Sequence, residues 1–214
     1  MKHLPRRTVA VIVAHPDDET LWAGGTILSH PAWMWFIVCL CRKNDPERAP
    51  RFEKVLSELK SEGIMGDMED GPEQIPIPDR ETERAILDLL PLRHFDLVIT
   101  HNVNGEYTRH IRHEEISKAV LRLWSAGKIS ATELWTFAYE DGNRQYFPKA
   151  IEEAPLNRLL TRRIWLKKES LILNTYGYEP GSWEAETIPK SEAFWQFTNS
   201  YDAIKWIKSG GKPT

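Results

Sequence analysis

The sequence predicts an α/β fold, a Rossmann-like three-layer α/β/α sandwich around a mostly parallel sheet. Three observations predict it. Short uninterrupted apolar runs at 9–14, 33–41 and 95–100 have the composition of strands buried on both faces. Segments of helical period separate these runs, and turn residues mark the junctions. Strands alternating with helices make parallel βαβ units, whose ligands bind beyond the carboxyl ends of the strands.

Residues 9–14 form the first strand. Lys2, Arg6 and Arg7 precede them as in a signal peptide, but the apolar stretch is only six residues long and runs straight into His15-Pro16-Asp17-Asp18-Glu19. Residues 19–29 place Leu21, Trp22, Ile27 and Leu28 at helical spacing, with Gly24-Gly25 permitting close packing on the sheet. The second strand, 33–41, contains the only two cysteines, Cys39 and Cys41. Alternation puts both on one face at a spacing unsuited to a disulfide, so they read as buried, reduced thiols. Residues 47–62 are a charged amphipathic helix with Phe52, Val55, Leu56 and Leu59 on one stripe and Gly63 as its C-cap. A short strand and loop follow over 64–79, then a helix at 80–90, the third strand at 95–100 and a polar loop at 102–112. Residues 114–125 are helical and 133–139 alternate as a strand. Residues 155–176 read as one long helix with a basic centre at Arg162, Arg163, Lys167 and Lys168, and from Gly177 the chain is aromatic and irregular.

The 214 residues suit one α/β domain with a modest extension. With 28 basic against 31 acidic side chains, the net charge of −3 argues against a phosphate-backbone binder, so nucleic acid is not an expected partner. The longest apolar run, 32–41, has ten residues, half of the ~20 needed to cross a bilayer. Reduced thiols and no spanning segment point to the cytoplasm. Nine tryptophans serve either core and rim packing or a sugar-stacking surface.

His15-Pro16-Asp17-Asp18-Glu19 stands where a buried strand gives way to a helix, on the ligand edge of this architecture. Adjacent carboxylates there repel unless a cation or proton intervenes. An imidazole and a carboxylate three residues apart across a Pro-fixed turn can face one ion, which suits Zn²⁺. The neighbouring carboxylate is left over as a general base for a metal-activated water. Read alone, the pattern fits an Asp-capped helix with a structural histidine better than a metal site. His110-Ile111-Arg112-His113, at the next loop-helix junction of the same edge, changes that balance. A catalytic zinc takes three protein ligands, and one histidine from this pair would complete the set with His15 and Asp18. The other could polarise a carbonyl or protonate a leaving group.

Ala14-His15-Pro16-Asp17-Asp18-Glu19 followed by Gly24-Gly25-Thr26 and a downstream H-x-x-H resembles the PIG-L/LmbE-like zinc-dependent de-N-acetylases, over residues 8–140. The resemblance implies one de-N-acetylase-like α/β domain over 1–214, with 141–214 as a C-terminal helical and aromatic extension. It implies that His15, Asp18 and His113 bind one Zn²⁺ or another divalent ion, that Asp17 is the general base, and that His110 stabilises the oxyanion or acts as an acid. Arg42 and Asp70 resemble positions that grip the sugar, and Tyr107 is a further substrate contact or an aromatic anchor. The implied activity is that of a hydrolase removing acetyl from an N-acetylated amino-sugar conjugate of the N-acetylglucosamine type, a small-molecule substrate. Many members carry an acidic residue before the last ligand; this chain has Arg112, which would lower the basicity of a neighbouring histidine or bind an anionic substrate group. Two rivals share these residues: a zinc hydrolase of another amide or acyl conjugate, and a non-catalytic, metal-retaining sugar-binding protein, for which both Asp17 and His110 would be superfluous.

Overall fold

Strand β1 (Thr8–Val13) is the run Thr-Val-Ala-Val-Ile-Val, in which Val9 to Val13 are buried completely. Such a run needs cover on both faces, and the chain supplies it. The computed structural model describes residues 6–108 and 110–211; Lys2 and Arg109 lie outside them. From β1 the chain passes through α1 (Asp18–Ser29), β2 (Met34–Cys39), α2 (Arg48–Leu59), β3 (Glu62–Met65), α3 (Asp79–Leu89), β4 (Phe95–Thr100), α4 (Ile111–Ser125) and β5 (Ala131–Phe137). A two-stranded ribbon follows, β6 (Tyr139–Glu140) with β7 (Lys149–Ala150), then β8 (Leu156–Leu159), α5 (Arg162–Ser170), a π-helical turn (Leu171–Thr175), α6 (Trp183–Thr187), β9 (Ser191–Phe197) and α7 (Ser200–Lys208).

The main sheet has the order β3-β2-β1-β4-β5-β9-β8. Strands β1 to β5 are parallel, with Val11 opposite Ile37 on one side and Ile99 on the other. Strand β9 runs antiparallel to both β5 and β8. Alternate side chains of β1 feed two cores: Val9, Val11 and Val13 pack with Trp22, Phe52, Val55 and Leu171, while Ala10 and Ile12 pack with Ile86, Ile116, Val120 and Trp206. The result is the expected three-layer sandwich. No helix among the described residues is long and apolar enough to cross a membrane.

Three local expectations need correction. Residues 155–176 are not one helix: Leu156–Leu159 pair with β9, and only from Arg162, behind the Thr161 cap, does the chain become helical. The sheet competes for this segment because β9 offers it a hydrogen-bonding edge, which local period cannot reveal. Gly63 is not a C-cap. The α2 helix ends three residues earlier, at Lys60 in the left-handed conformation (φ 56°), and Gly63 lies in β3, where a Cβ would stand 2.7 Å from Ile37 O and 2.8 Å from Leu56. Cys39 and Cys41 are free and buried as expected, but they serve opposite cores because the chain leaves the strand at Cys39.

Helix α1 is anchored from far along the chain. Fully buried Glu192 on β9 accepts from Gly25 N (2.6 Å), Thr26 N (2.6 Å) and Thr26 Oγ1 (2.7 Å), and its charge is matched by buried Lys168 Nζ at 2.7 Å. A Cβ on Gly25 would collide with Leu160 and crowd Glu192, which is the close approach that residue permits.

In sequence β2 follows β1 on one side of the sheet, whereas β4 lies on the other. The loops after β1 and β4 therefore diverge at the switch point of the sheet, opening a crevice there.

Candidate active site

The loop after β1 and the start of α1 deliver His15, Asp17 and Asp18 to that crevice, and the loop after β4 and the first turn of α4 deliver His101, Glu106, Tyr107, His110 and His113. His15 Nδ1 stands 3.2 Å from Asp18 Oδ2 and 3.2 Å from His113 Nε2, and His113 Nε2 stands 3.4 Å from Asp18 Oδ2. These three atoms form a nearly equilateral triangle. With ligand bonds of about 2.1 Å, neighbouring donors on a tetrahedral ion stand about 3.4 Å apart. The expected ligands are thus brought together at the spacing that one such ion requires.

The surrounding groups aim the donors. His113 Nδ1 donates to Glu106 Oε2 at 2.6 Å, turning the Nε2 lone pair into the triangle. His15 Nε2 stands 3.2 Å from Asp70 Oδ2, an ionic contact rather than an aligned hydrogen bond. Trp22 Nε1 donates to Asp18 Oδ1 (3.0 Å), and the His15 amide to Asp18 Oδ2 (2.8 Å). Carboxylates behind the outer nitrogens of ligand histidines fix their tautomer and raise their basicity. The electrostatics agree: burial opposes protonation of His113, yet Asp18 and Glu106 push its pKa up to about 10, and His15 is raised through Asp18 and Asp70 despite its own burial. Asp18, although buried, is held well below the usual carboxylate range by His113 and His101. The cluster attracts positive charge, as a cation site must.

Two overlapping donor sets have all their atoms within 4.8 Å of one another, His15, His110 and His113, and Asp18, His101 and His113. His101 is removed from the choice by its partners. Its Nε2 accepts the Ala14 amide (2.9 Å) and its Nδ1 donates to Glu106 (2.8 Å), so both nitrogens are engaged. Burial and neighbouring His113 lower its pKa, against the opposing pull of Glu106 and Asp18. Glu106 thus supports two rings with one oxygen while its other accepts the Asn102 amide at 2.9 Å.

Asp17 is placed beside this cluster in a conformation few residues adopt, φ 119°. Its carbonyl starts α1, accepting from Thr20 N and Leu21 N, and its amide donates to fully buried Glu19. Its side chain makes no capping bond, so the capped-helix alternative does not describe it. The carboxylate instead accepts from the Tyr178 hydroxyl, with Arg48 Nη1 3.9 Å away. Burial and the Asp18 charge raise its pKa, giving it the proton affinity of a base. His110, at the N-terminus of α4, packs its ring 4.5 Å from that of His15 and 4.6 Å from that of His113. Its Nδ1 is buried without a protein partner. Burial first, then His113 and His15, depress its pKa to about 3.

The other expected residues fare unequally. Arg42 and Asp70 line the small pocket, about 180 Å³, that also holds His15, Asp17, Asp18 and His110. They hold each other, Arg42 Nη2 to Asp70 Oδ2 at 2.6 Å. Tyr107 forms another wall, edge-on to Trp183 at 4.7 Å. Arg112 faces neither His110 nor the pocket, against both roles expected for it. It is fully buried, donating to Glu69 O (2.6 Å), Glu69 Oε2 (2.8 Å), Ile75 O (2.6 Å) and Glu115. Consecutive helical residues do not share a face, so Arg112 is turned away from His113 and clamps the loop that carries Asp70. Sequence reasoning also missed Glu106, Arg48, Tyr178, Trp183 and Glu184. A carboxylate seven residues before His113, in the loop after β4, was available as a signal for Glu106; the others arrive through tertiary contacts.

No family model matches the chain. An uncharacterized protein of Acanthamoeba polyphaga mimivirus is 24% identical over 146 residues, 61% of this chain and 61% of that protein; the match thus spans about three fifths of the relative's length. Among solved structures, N,N'-diacetylchitobiose deacetylase of Pyrococcus horikoshii has a TM-score of 0.66 at 15% identity, covering 90% of this chain and 84% of that one. A deacetylase of an antimicrobial pseudoaglycone has a TM-score of 0.61 at 13% identity, covering 91% and 98%. The 4-carboxy-2-hydroxymuconate hydratase of Pseudomonas putida has 0.60 at 15%, covering 89% and 95%. At these identities the likeness speaks to fold, and one fold hosts both chemistries. The chain shares its fold with these two deacetylases and with the hydratase.

Proposed function

We propose that this protein is a metal-dependent hydrolase that removes acetyl from an N-acetylated amino-sugar conjugate, as one domain acting in the cytoplasm. The observation that carries the reading is the triangle of His15 Nδ1, Asp18 Oδ2 and His113 Nε2 with a carboxylate, Asp17, left over beside it. His15, Asp18 and His113 would hold the ion, and zinc suits two imidazoles and one carboxylate. When bound, the ion supplies Lewis acidity, acidifying water and polarising an acyl oxygen.

The chain's own groups supply the rest. Asp17, steadied by the Tyr178 hydroxyl, takes the proton of the attacking water on its carboxylate and returns it to the departing amine. His110 stays neutral, so its ring N–H donates a hydrogen bond to the oxygen that gains charge. Arg42, paired with Asp70, reaches the pocket where sugar hydroxyls would lie. The deacetylases of like fold support the acetamide substrate, and two buried free thiols support a reducing compartment.

Metal analysis together with acetate release from N-acetylglucosamine conjugates tests the reading. Asp17→Asn is expected to retain metal and lose about 10²–10⁴-fold in turnover. Unchanged turnover in that variant, or no bound metal in the wild type, overturns it.

A further inference from the structure

Beside the reactive pocket lies a larger cavity of about 830 Å³ that shares Tyr107, Trp183 and Glu184 with it. The inner pocket, about 180 Å³, falls below the ~300–1,000 Å³ of sites that enclose a whole small-molecule ligand, while the outer one lies within that range. A substrate whose acetamide reached Asp17 and His110 would therefore extend outward past Tyr107 and Trp183.

The lining of the outer cavity states what it would meet there. Tyr107, Tyr146, Phe147, Pro148 and Trp183 form its apolar walls, and three of these rings stay open to solvent: Tyr146 at 38%, Phe147 at 48% and Trp183 at 37%. Large exposed rings gathered around one concavity mark a binding surface. Of the two carboxylates in the lining, Asp141 is already engaged by Thr108 N (2.6 Å) and Thr108 Oγ1 (2.5 Å). The Tyr146 hydroxyl is engaged by Glu140 at 2.8 Å, and Lys149 lies over its ring. Arg144, Gln145 and Glu184 are left to meet a ligand. The partly exposed rings of Tyr146, Phe147 and Trp183 offer a flat apolar ring stacking contacts, and the Arg144 guanidinium is available to lie over its face.

We infer that the outer cavity is an aglycone subsite and that the substrate is an amino sugar, acetylated on nitrogen, carrying an aromatic or similarly flat apolar aglycone. This rests on the deacetylase reading for the inner pocket, and deepens it. The turn between β6 and β7 and the start of α6 supply most of the subsite, and Tyr107 and Thr108 from the loop after β4 supply the rest.

Initial rates of acetate release by the metal-loaded protein on N-acetylglucosamine, N,N'-diacetylchitobiose and p-nitrophenyl N-acetyl-β-D-glucosaminide test the assignment. The aryl glycoside is expected to exceed both others in kcat/KM by about tenfold, mainly through KM, and Phe147→Ala to cut that preference about fivefold while thermal stability is retained. Equal values for the aryl glycoside and the monosaccharide, or a disaccharide as good as the aryl glycoside, overturn the assignment. If none of the three loses acetate, the deacetylase reading fails by itself. The subsite is then read by calorimetric titration with p-nitrophenyl β-D-glucoside, which has no acetamide. Saturable binding weakened about fivefold by Phe147→Ala upholds the subsite, and absence of saturable binding overturns it.

Discussion

The two walls of the candidate site are built on different principles. The reactive wall comes from the loops after β1 and β4, and its members are buried and held from behind: Glu106 orients His113 and engages His101, Trp22 fixes Asp18, and Glu19 secures the Asp17 amide. The facing wall comes from residues after β5 and presents Tyr146, Phe147 and Trp183 with their rings partly in solvent. Buried groups held by hydrogen bonds from behind keep donor atoms within tenths of an ångström of a working geometry, and that is what an ion and a proton transfer require. Exposed rings on connecting segments tolerate change, and that is how one scaffold takes different substrates. On the proposed function, chemistry and selectivity thus belong to different walls.

The largest expected effect strikes the reactive wall. His113→Ala removes one corner of the triangle and one of the two rings that Glu106 holds, so the purified variant should carry no stoichiometric metal and show no measurable turnover. Wild-type metal content in a folded His113→Ala protein would dissolve the contrast between the walls, because the buried cluster would then not be the ion site.

The next effect concerns stability and joins the walls through α1. Lys168→Met leaves the Glu192 carboxylate buried without its cation, while Gly25, Thr26 N and Thr26 Oγ1 still donate to it. Breaking a buried pair on one side costs about 3–5 kcal/mol. Denaturant unfolding should show a loss of that size. A loss under about 1 kcal/mol, as for an exposed pair, would mean that the anchorage of α1 does not depend on this ion pair.

A smaller effect measures how far orientation matters within the reactive wall. Glu106→Gln keeps a hydrogen-bond acceptor behind His113 and His101 but removes the charge that helps hold the His113 pKa near 10. Replacing such supporting groups costs roughly 10–100-fold in metal affinity, to be read by competition with a chelator. Unchanged affinity would reduce Glu106 to a packing group.

How much of this the sequence disclosed follows the same division. His15, Asp17, Asp18, His110 and His113 stand in two short motifs, each at a strand-to-helix junction, and the alternating pattern alone predicts that these junctions share one edge. The spacing of donors in the structure agrees with that expectation. Arg112 was misplaced because adjacency in sequence was read as adjacency in space, whereas a helix turns consecutive side chains apart. Tyr178 lies 161 positions from the carboxylate it meets, and no local period or cap connects them. The 155–176 segment misled for a related reason: its first residues join a sheet edge formed by β9, which comes later in the chain.

The smallest expected effect lies where the later segment touches the reactive wall. Tyr176 donates to Glu19 (2.7 Å) and Tyr178 donates to Asp17, so this segment does more than offer aromatic surface. Tyr178→Phe preserves the ring, with its Arg48 contact, and deletes only the hydroxyl. A hydrogen bond to a charged group contributes about 1.5–3 kcal/mol, but Arg48, already 3.9 Å from Asp17, can close part of the gap. The expected result is a fall in kcat of about tenfold or less, with KM and metal content as in the wild type, since the triangle and the sugar pocket keep all their members. If KM rises while kcat holds, Tyr178 serves the substrate and belongs with the exposed wall. If metal is lost as well, the Asp17 loop depends on this residue for its position, and the boundary between the two walls runs through Asp17 rather than beside it.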